Sequence, residues 1–414
     1  MDNKPITIMD WPKAILHLDG DSFFASVSKA LDPSLKDKAV VTGGERGVAT
    51  AMSQEAKKLG ITRGMPIAKV KREYPECVVV SGNYEAYSIF AKKIFNIMRR
   101  YTPDVEEYSI DEAFADITGL RKIHNASYKE IAEKMQKDIM AELNISVSVG
   151  VSISKTLAKL CSNFRKPYGI TCVKGTQIHI LLQKTPIEKV WGIGKNTAEF
   201  LRKYDCHTAY DFVQKDHIFM NRYLTKRERE IHSELRGEYI NKLKIEKKSS
   251  YQSISKAKTF EPTKDKEIIT AQLYKNIEEA CAKSRKYKLT ATKVSIMTKT
   301  QSFFTNGKKI TLSRPSASAS EIYKLIEELL PALLINNTIY RQTSIVLADL
   351  TSDNTSQLSL FEDNIKISKI EQLDTTIDDI NKKFGYNTVH LAKSLKARSL
   401  YNKRLSIPKL NIAV

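Results

Sequence analysis

The chain has 414 residues and a formal net charge of +20. That length predicts two to four domains with substantial cores and excludes a small disulfide-stabilised scaffold. Its five cysteines are scattered without Cys-x-x-Cys spacing, which favours a reducing compartment and argues against a zinc knuckle. No segment approaches the roughly 20 apolar residues of a membrane span, so we expect a cytoplasmic protein without a membrane partner.

The positive charge is unevenly distributed. Residues 241–350 hold 20 Lys or Arg and 10 Asp or Glu, so their net charge is +10. This is half of the net charge of the whole chain. Such a distribution favours polyanionic partners, nucleic acid first and acidic membrane surfaces second. A basic solvated surface without a dedicated partner is the alternative.

Strands alternate with helices from residue 14 to about residue 170. The predicted elements are, in chain order, a strand over 13–19, helices over 22–30 and 84–101, a hairpin with strands over 105–110 and 113–117, a helix over 127–143 and a strand over 146–151. If residues 32–82 are set aside, this is the β-α-β-β-α-β order of a ferredoxin-like sheet. Residues 32–82 are then a small inserted domain.

The remaining sequence predicts three further regions. Residues 173–243 favour short helices around the WGIGK motif at 191–195, and residues 244–250 are a charged linker. Residues 251 to about 350 mix strand-like and helical stretches, and after residue 351 the composition becomes polar. The predicted fold class is therefore α+β with several domains.

Acidic residues occur where two of the predicted strands end. Asp19 closes the first strand, and Asp111 and Glu112 occupy the predicted turn of the hairpin. Adjacent carboxylates repel each other and are costly to desolvate unless a cation lies between them. An Asp-Glu pair in a hairpin is most often a solvated turn. Together with the distant Asp19, however, the pair predicts a site for two divalent cations about 4 Å apart, which suits in-line phosphoryl transfer.

Four motifs together resemble the Y family of translesion DNA polymerases over roughly residues 14–350. They are LDGDSFFASV at 18–27, SIDEA at 109–113, GVS at 150–152 and KPYG at 166–169. The resemblance implies a multi-domain right-hand polymerase with a ferredoxin-like palm, inserted fingers, a helical thumb carrying a helix-hairpin-helix, and an α/β little finger. DNA polymerase IV is the most similar bacterial branch, and the catalytic subunit of DNA polymerase V is the alternative.

The same resemblance implies the domain boundaries. The expected domains are the palm (1–32 and 83–172), the fingers (33–82), the thumb (173–243), a linker (244–250), the little finger (251–351) and a tail (352–414).

The resemblance also assigns roles to the acidic residues. Asp19 and Asp111 are expected to bridge two Mg²⁺ ions, with the main-chain carbonyl of Gly20 as a further ligand. Glu112 is expected to help hold the metal at the attacking 3′ hydroxyl, so all three acidic residues count as catalytic. A cation lowers the pKa of that hydroxyl and stabilises the charge that develops in phosphoryl transfer.

Two consecutive aromatic residues are expected at the nucleotide. One of Phe23 and Phe24 can point to the core while the other faces the nucleotide, and Phe24 aligns with the steric gate of the family. A ring against the sugar leaves no room for a 2′ hydroxyl. Two core aromatics are the alternative.

Polar residues in two further segments are expected to contact the triphosphate. Lys159 matches a lysine that the family directs at the triphosphate, although a solvated helix face is the alternative. Ser53, Gln54 and Lys57 form the second group. The family usually has Tyr and Arg where Gln54 and Lys57 stand, and Lys57 keeps the charge but loses the bidentate fork of arginine.

Glycines and lysines are expected to contact DNA. Gly192 and Gly194, with Lys195, resemble the hairpin of a helix-hairpin-helix, whose main-chain N–H groups approach a phosphate. A simple helix cap is the alternative. Lys256 and Lys258, and the basic segment 283–288, have a composition suited to the duplex backbone, or to a charged edge strand.

The polar tail contains a short apolar segment. Gln357, Leu358, Leu360 and Phe361 resemble the pentapeptide that binds the bacterial sliding clamp, and a tail folded onto its own body is the alternative. The predicted function is template-directed, error-prone synthesis by a monomer that uses primer-template DNA, dNTPs and the clamp. The rival hypotheses are a polymerase V type subunit that needs accessory proteins and a non-catalytic DNA-binding adaptor recruited by the clamp.

Overall fold

The structure is a computed structural model that describes residues 6–7, 9–44, 47–246, 251–353, 363–385 and 388–399. The chain divides into two compact units, Met1–Lys247 and Lys248–Val414. Among the described helices, none has both the length and the apolar composition needed to cross a bilayer.

The first unit mixes short strands with helices. Its strands are β1 (Ile15–Gly20), β2 (Val40–Thr42), β3 (Ala51–Met52), β4 (Val78–Val80), β5 (Val105–Glu107), β6 (Glu112–Asp116), β7 (Val147–Ser152) and β8 (Ile170–Cys172). Its helices are α1 (Phe23–Leu31), α2 (Gln54–Lys58), α3 (Ile67–Glu73), α4 (Tyr84–Arg99), α5 (Tyr128–Leu143), α6 (Lys155–Phe164), α7 (Ile178–Gln183), α8 (Lys195–Arg202), α9 (Ala209–Val213), α10 (His217–Tyr223) and α11 (Lys226–Leu235).

The main sheet of this unit has the order β5-β6-β1-β7-β8. Both β6 and β7 pair antiparallel with β1, as the predicted ferredoxin-like arrangement requires, and β8 adds a parallel edge strand. Side chains alternate along β1. Leu16 and Leu18 join the core that contains α4 and α5, whereas Ile15 packs with Ala158 of α6 on the opposite face. Asp19 lies on the α6 face by the same alternation.

Helix α6 approaches the sheet closely because β7 has a glycine beneath it. A Cβ atom at Gly150 would lie 2.2 Å from the carbonyl oxygen of Ala158 and from the main-chain nitrogen of Ser162. Any side chain here would therefore push α6 away from the sheet. The close approach brings Lys159 of α6 next to the end of β1.

A buried ion pair also fixes α6. Lys155 Nζ lies 2.6 Å from Glu106 Oε2, and both side chains are less than a tenth exposed. The same carboxylate oxygen accepts the N–H of Lys244 at 3.0 Å. Glu234 of α11, fully buried, accepts the N–H groups of Thr156 and Asn241. The start of α6 is thus tied to β5 and to the segment after α11.

The inserted segment and the helical segment each have a core of their own. A three-stranded sheet of order β3-β2-β4 packs with α2 and α3 around Val41, Ile61 and Val70. The helices from α7 to α11 surround a second core centred on residues such as Leu201 and Phe212. Burial of these apolar side chains is the main force that holds each segment together.

The second unit packs helices against an antiparallel sheet. Its strands are β9 (Ser253–Thr263), β10 (Leu289–Thr300), β11 (Thr305–Ser316) and β12 (Tyr340–Ser352), in the sheet order β11-β10-β12-β9. Its helices are α12 (Lys266–Lys286), α13 (Ala319–Glu327), α14 (Leu330–Leu333), α15 (Asn364–Phe384) and α16 (Leu395–Ser399). The buried face of α12 joins residues of β10 and β12 in one apolar core.

One of the predicted DNA-facing cations in segment 283–288 is internal. The guanidinium of Arg285 binds both carboxylate oxygens of Asp378 at 2.7 and 2.8 Å and the carbonyl oxygen of Ala317 at 2.7 Å. It also lies 3.8 Å from Asp374, and its side chain is 20 % exposed. Arg285 therefore anchors α15 to α12, which corrects the expectation that the whole segment faces DNA.

We expect Arg285→Ala to lower the free energy of unfolding of the second unit by about 2–4 kcal/mol, because it leaves two partly buried carboxylates without their cation. Arg285→Lys should lower the free energy of unfolding less, since lysine keeps the positive charge although it cannot make the bidentate contact of a guanidinium group. Chemical denaturation and amide hydrogen exchange over 364–384 measure these effects. Lys293→Ala, which removes an exposed pair with Asp349, is the matched control and should change little. Equal exchange of α15 in both alanine variants would contradict the anchor.

Candidate active site

The strand register brings two of the three predicted acidic residues together. Asp19 in β1 lies directly opposite Glu112 in β6, so the two carboxylates are neighbours on one face of the sheet and repel each other. Asp19 is 8 % exposed. Burial raises the pKa of Asp19 to about 6, the Lys166 ammonium opposes this rise, and the Glu112 carboxylate adds to it.

Two lysine side chains neutralise this carboxylate pair. Lys159 Nζ lies 2.7 Å from Glu112 Oε1, and Lys166 Nζ lies 2.6 Å from Asp19 Oδ1. Lys159 is therefore engaged at the acidic site rather than spread on a solvated helix face. Lys166 was not among the predicted site residues, although the KPYG motif contains it.

The loop that carries Asp111 differs from the predicted turn. The first hairpin strand ends at Glu107, residues 108–111 form the loop, and Glu112 begins β6. The Ser109 hydroxyl sets this geometry, because it donates to Asp111 Oδ1 at 2.7 Å and accepts the Glu112 N–H at 3.1 Å. The carbonyl oxygen of Asp111 accepts the N–H of Gly20 at 2.9 Å, so the loop is tied to the end of β1.

Asp21 follows Gly20 and is buried. Its carboxylate accepts the hydroxyl of Ser148 and the N–H of Tyr168, each at 2.8 Å. These contacts join the end of β1 to β7 and to the KPYG segment that carries Lys166. Asp21 thus has a supporting place beside the site.

The two phenylalanines after the acidic strand separate as expected. Phe23 is 3 % exposed and lies in the core under α4, whereas Phe24 is half-buried. The Phe24 ring stacks on the Tyr87 ring, with centroids 4.3 Å apart and planes 11° apart. Tyr84 meets the Phe24 ring edge-on at 5.8 Å. Of the two rings, Phe24 is therefore the one that can face a nucleotide. Its contacts with Tyr84 and Tyr87 fix its orientation.

The inserted segment reaches the same place through α2. Lys57 Nζ lies 2.8 Å from the Ser22 hydroxyl oxygen, and Gln54 Nε2 lies 3.4 Å from it. The buried Ser53 hydroxyl caps α2 by accepting the N–H of Ala56, and it also accepts the N–H of Val40. Gln54 and Lys57 thus meet the turn between Asp21 and Phe24, while the Ser53 side chain serves the local fold.

The side chains at this site offer carboxylate oxygens, which are suitable ligands for a divalent cation. Within the described ranges, no three His, Cys, Asp or Glu side chains already form a metal shell, since lysines bind Asp19 and Glu112 and Ser109 binds Asp111. The available donors are nevertheless hard carboxylate oxygens, two of them crowded and poorly solvated. Such a set suits Mg²⁺.

Comparison with known proteins decides the family. Residues 18–163 match the impB/mucB/samB family, and residues 251–360 match its C-terminal domain. DNA polymerase IV of Dehalococcoides mccartyi strain CBDB1 is 30% identical over 94% of this chain and 99% of that protein. DNA polymerase IV of Streptococcus thermophilus strain CNRZ 1066 is 32% identical over 85% of this chain and 97% of that protein. The chain belongs to the Y family of DNA polymerases.

Solved structures agree with this membership. A Y-family DNA polymerase chimera of Dbh and Dpo4 superimposes with a TM-score of 0.70 at 25% identity, covering 82% of this chain and 99% of that chain. DinB from Sulfolobus solfataricus gives a TM-score of 0.52 at 25% identity, covering 81% and 98%. The predicted family, fold class and enzyme class are confirmed, and this Y-family member is a DNA-directed DNA polymerase.

The WGIGK motif of this polymerase forms a turn before α8. Gly192 has a φ of +93°, which favours glycine, and a Cβ there would lie 2.6 Å from Ile231 Cδ1. Gly194 is the N-cap of α8, as the simpler alternative predicts, and nothing lies within 4 Å of its added Cβ. Lys195 is 86% exposed. Gly194 and Lys195 are therefore both exposed to solvent.

The lysines predicted to bind DNA in the second unit lie on edge strand β9. Lys256 alternates with the exposed Ser255 and Ala257, and its Nζ lies 3.4 Å from Glu279 of α12. Lys258 lies on the same side of the strand by alternation. Both lysines therefore point to the helix-covered side of the sheet, not to the side of Ser255. The predicted clamp-binding residues 357–361 lie outside the described residues.

Proposed function

We propose that this Y-family polymerase carries out template-directed, error-prone DNA synthesis, adding deoxynucleotides to a primer 3′ end with release of pyrophosphate. One observation carries the proposal. Asp19 and Glu112 lie side by side at the C-terminal end of β1, and they form ion pairs with Lys166 and Lys159. Carboxylates and ammonium groups side by side can hold cations and a polyphosphate at one place.

Asp19, Asp111, Glu112 and the main-chain carbonyl of Gly20 would hold two Mg²⁺ ions. When bound, these ions supply activation of the 3′ hydroxyl and neutralisation of the leaving pyrophosphate. The protein positions the donors through the β1–β6 register and through the Ser109 loop. Asp21 keeps the end of β1 in place.

The nucleotide is proposed to lie between the sheet and α2. Lys159 supplies an ammonium group for the triphosphate, and Gln54 and Lys57 supply further donors from the inserted segment. Phe23 holds α1 in the core, and Phe24 offers a ring face to the sugar. Ser53 contributes by capping the short helix that carries Gln54 and Lys57.

DNA is proposed to be held at several places. The main-chain N–H groups near Gly192 and Gly194, with Lys195, suit a backbone phosphate. Lys256 and Lys258 would add positive electrostatic potential around β9, and Lys256 would have to leave Glu279 to bind a phosphate.

We assign the palm to 1–32 and 83–172, the fingers to 33–82, the thumb to 173–243, the linker to 244–250 and the little finger to 251–351. The protein acts as a monomer, and residues 357–361 dock on a sliding clamp.

The purified chain is expected to extend a primer on an undamaged template with dNTPs and Mg²⁺, and to stop when EDTA removes the metal. The reason is that the lysines bound to Asp19 and Glu112 balance their charge but do not activate the 3′ hydroxyl, which is the task of the proposed Mg²⁺ ions. Gel-resolved primer extension measures this, and restored extension on adding excess Mg²⁺ is the control. Extension that is unaffected by EDTA would contradict the metal site.

The same assay separates the rival hypotheses. A polymerase V type subunit would extend the primer only after accessory proteins are added. A DNA-binding adaptor would bind duplex and clamp without incorporating nucleotide under any metal. Family membership and the paired carboxylates favour an enzyme over the adaptor, and extension by the purified chain alone would then distinguish it from the polymerase V type subunit.

A further inference from the structure

Trp191, the first residue of the WGIGK motif, lies under the active site. Its indole packs against a small apolar cluster of Ile15, Phe114 and Ala158. These residues belong to β1, β6 and α6, the elements that carry Asp19, Glu112 and Lys159. One side chain of the WGIGK turn therefore packs against a cluster that β1, β6 and α6 share.

The Trp191 indole also touches the ammonium group of Lys159. Lys159 Nζ lies 5.1 Å from the Trp191 ring centroid and 5.1 Å from the Tyr108 ring centroid. The two rings meet edge-to-face, with centroids 5.5 Å apart and planes 87° apart. The Lys159 side chain is 12% exposed, so water contributes little to its position. Both distances are within the range of a cation–π interaction.

We propose that Trp191, assisted by Tyr108, is a positioning residue that holds the Lys159 ammonium where the triphosphate of the incoming nucleotide binds. The inference rests on the proposed function, in which Lys159 contacts that triphosphate. Because Trp191 precedes Gly192 and Gly194, the turn that faces the DNA backbone and the lysine that faces the nucleotide share one aromatic side chain.

Aromatic rings suit this task for a chemical reason. An ammonium group has three N–H donors on a flexible four-carbon chain, and the chain must be ordered before it can bind a phosphate. A carboxylate partner such as Glu112 orders the chain but neutralises its charge. A ring face attracts the cation through its quadrupole and leaves the positive charge available to a phosphate. Trp191 and Tyr108 can therefore keep Lys159 in place when Glu112 is not its partner.

The test compares two substitutions of similar size at Trp191. Trp191→Phe keeps an aromatic face, whereas Trp191→Leu keeps apolar packing and removes the quadrupole. In single-nucleotide extension, we expect Trp191→Leu to raise the KM for dNTP about three- to tenfold and Trp191→Phe to restore most of the loss. The kcat and the Kd for primer-template should be similar in both variants. If the leucine and phenylalanine variants have the same KM, the role is packing alone and the proposal is overturned.

A double-mutant cycle distinguishes positioning from general structure. If Trp191 acts through Lys159, Trp191→Leu should have no further effect on KM in a Lys159→Ala background. Additive effects would overturn the proposal. Phe219→Leu is the matched control, because this aromatic residue lies in α10 and packs with Tyr204 and Tyr223; its KM should equal that of the unmodified protein.

Failure of the proposed function gives a different result. If Lys159→Ala alone leaves the KM for dNTP unchanged, the assignment of Lys159 to the triphosphate is wrong, whatever Trp191 does. If Lys159→Ala raises the KM and Trp191→Leu does not, only the positioning role is wrong. Circular dichroism of each variant verifies that the first unit is folded.

Discussion

Glu112→Gln is expected to reduce the rate of primer extension by at least about a hundredfold, because it removes a charge aimed at the reacting groups. The amide is isosteric, so β6 and its pairing with β1 should remain. The lost group is the carboxylate that lies opposite Asp19 and binds Lys159. Steady-state single-nucleotide insertion with Mg²⁺ measures the loss, which should fall mainly on kcat.

A carboxylate in the same hairpin provides the control for this prediction. Glu107 ends β5, is exposed and pairs with Arg99 at 2.7 Å. Glu107 lies opposite Ala113 in the register, so its side chain is on the other face of the sheet from Glu112. Glu107→Gln therefore changes the net charge of the hairpin by the same amount and should leave kcat nearly unchanged. If both glutamine variants lose activity equally, the hairpin affects activity through its fold or net charge, and Glu112 is not catalytic.

The order of elements in the first unit followed from apolar periodicity. The strand ending near Asp19 and the helices over 84–99 and 128–143 were all predicted to within a few residues. These elements bury regular apolar faces, and such patterns are local in sequence. The hairpin was predicted less accurately because the shape of its loop depends on one side chain. The Ser109 hydroxyl hydrogen-bonds to both Asp111 and Glu112. Composition alone does not reveal such a hydrogen bond.

The acidic residues of the site and Lys159 were predictable, whereas Lys166 and Trp191 were not. Asp19 and Glu112 stand at the ends of recognisable strands, so a shared sheet predicts that they meet. Lys166 and Trp191 reach the site from loops whose paths depend on tertiary packing. Their signal in the sequence was only that both belong to motifs of the family.

Basic residues were the least predictable in orientation. Arg285 and Lys256 have sequence neighbours typical of a DNA-binding surface, yet each binds an acidic residue of its own unit. A cation near the end of a long helix can pair with a later helix or with solvent, and the linear pattern is the same in both cases. Only the position of α15, with Asp374 and Asp378, distinguishes these outcomes for Arg285.

The departure from the family at Gln54 and Lys57 has a structural counterpart. Both side chains reach the Ser22 hydroxyl, which lies between the acidic strand and the Phe24 ring. A lysine there offers a point charge and a glutamine a neutral donor, in place of a planar guanidinium fork. The inserted segment therefore reaches the Ser22 turn, beside the proposed nucleotide site, with fewer directional donors than an arginine would supply.

Phe24→Ala is expected to raise incorporation of ribonucleotides relative to deoxyribonucleotides about ten- to a hundredfold, since it removes the ring that would clash with a 2′ hydroxyl. The Phe24 ring cannot easily turn aside, because it stacks on Tyr87 at 4.3 Å and meets Tyr84 edge-on. The ratio of kcat/KM for dNTP to that for rNTP measures the selectivity within one enzyme preparation.

Phe24→Leu separates the bulk of this side chain from its flat shape. Leucine retains much of the volume but lacks the ring that stacks on Tyr87, so its selectivity should lie between those of the alanine variant and the unmodified protein. Phe304→Ala removes an exposed aromatic residue in the second unit and should leave the ratio unchanged. If Phe24→Ala selects deoxyribose as well as the unmodified protein does, the gate is formed by another group, and Tyr84 at the edge of the Phe24 ring becomes the first residue to substitute.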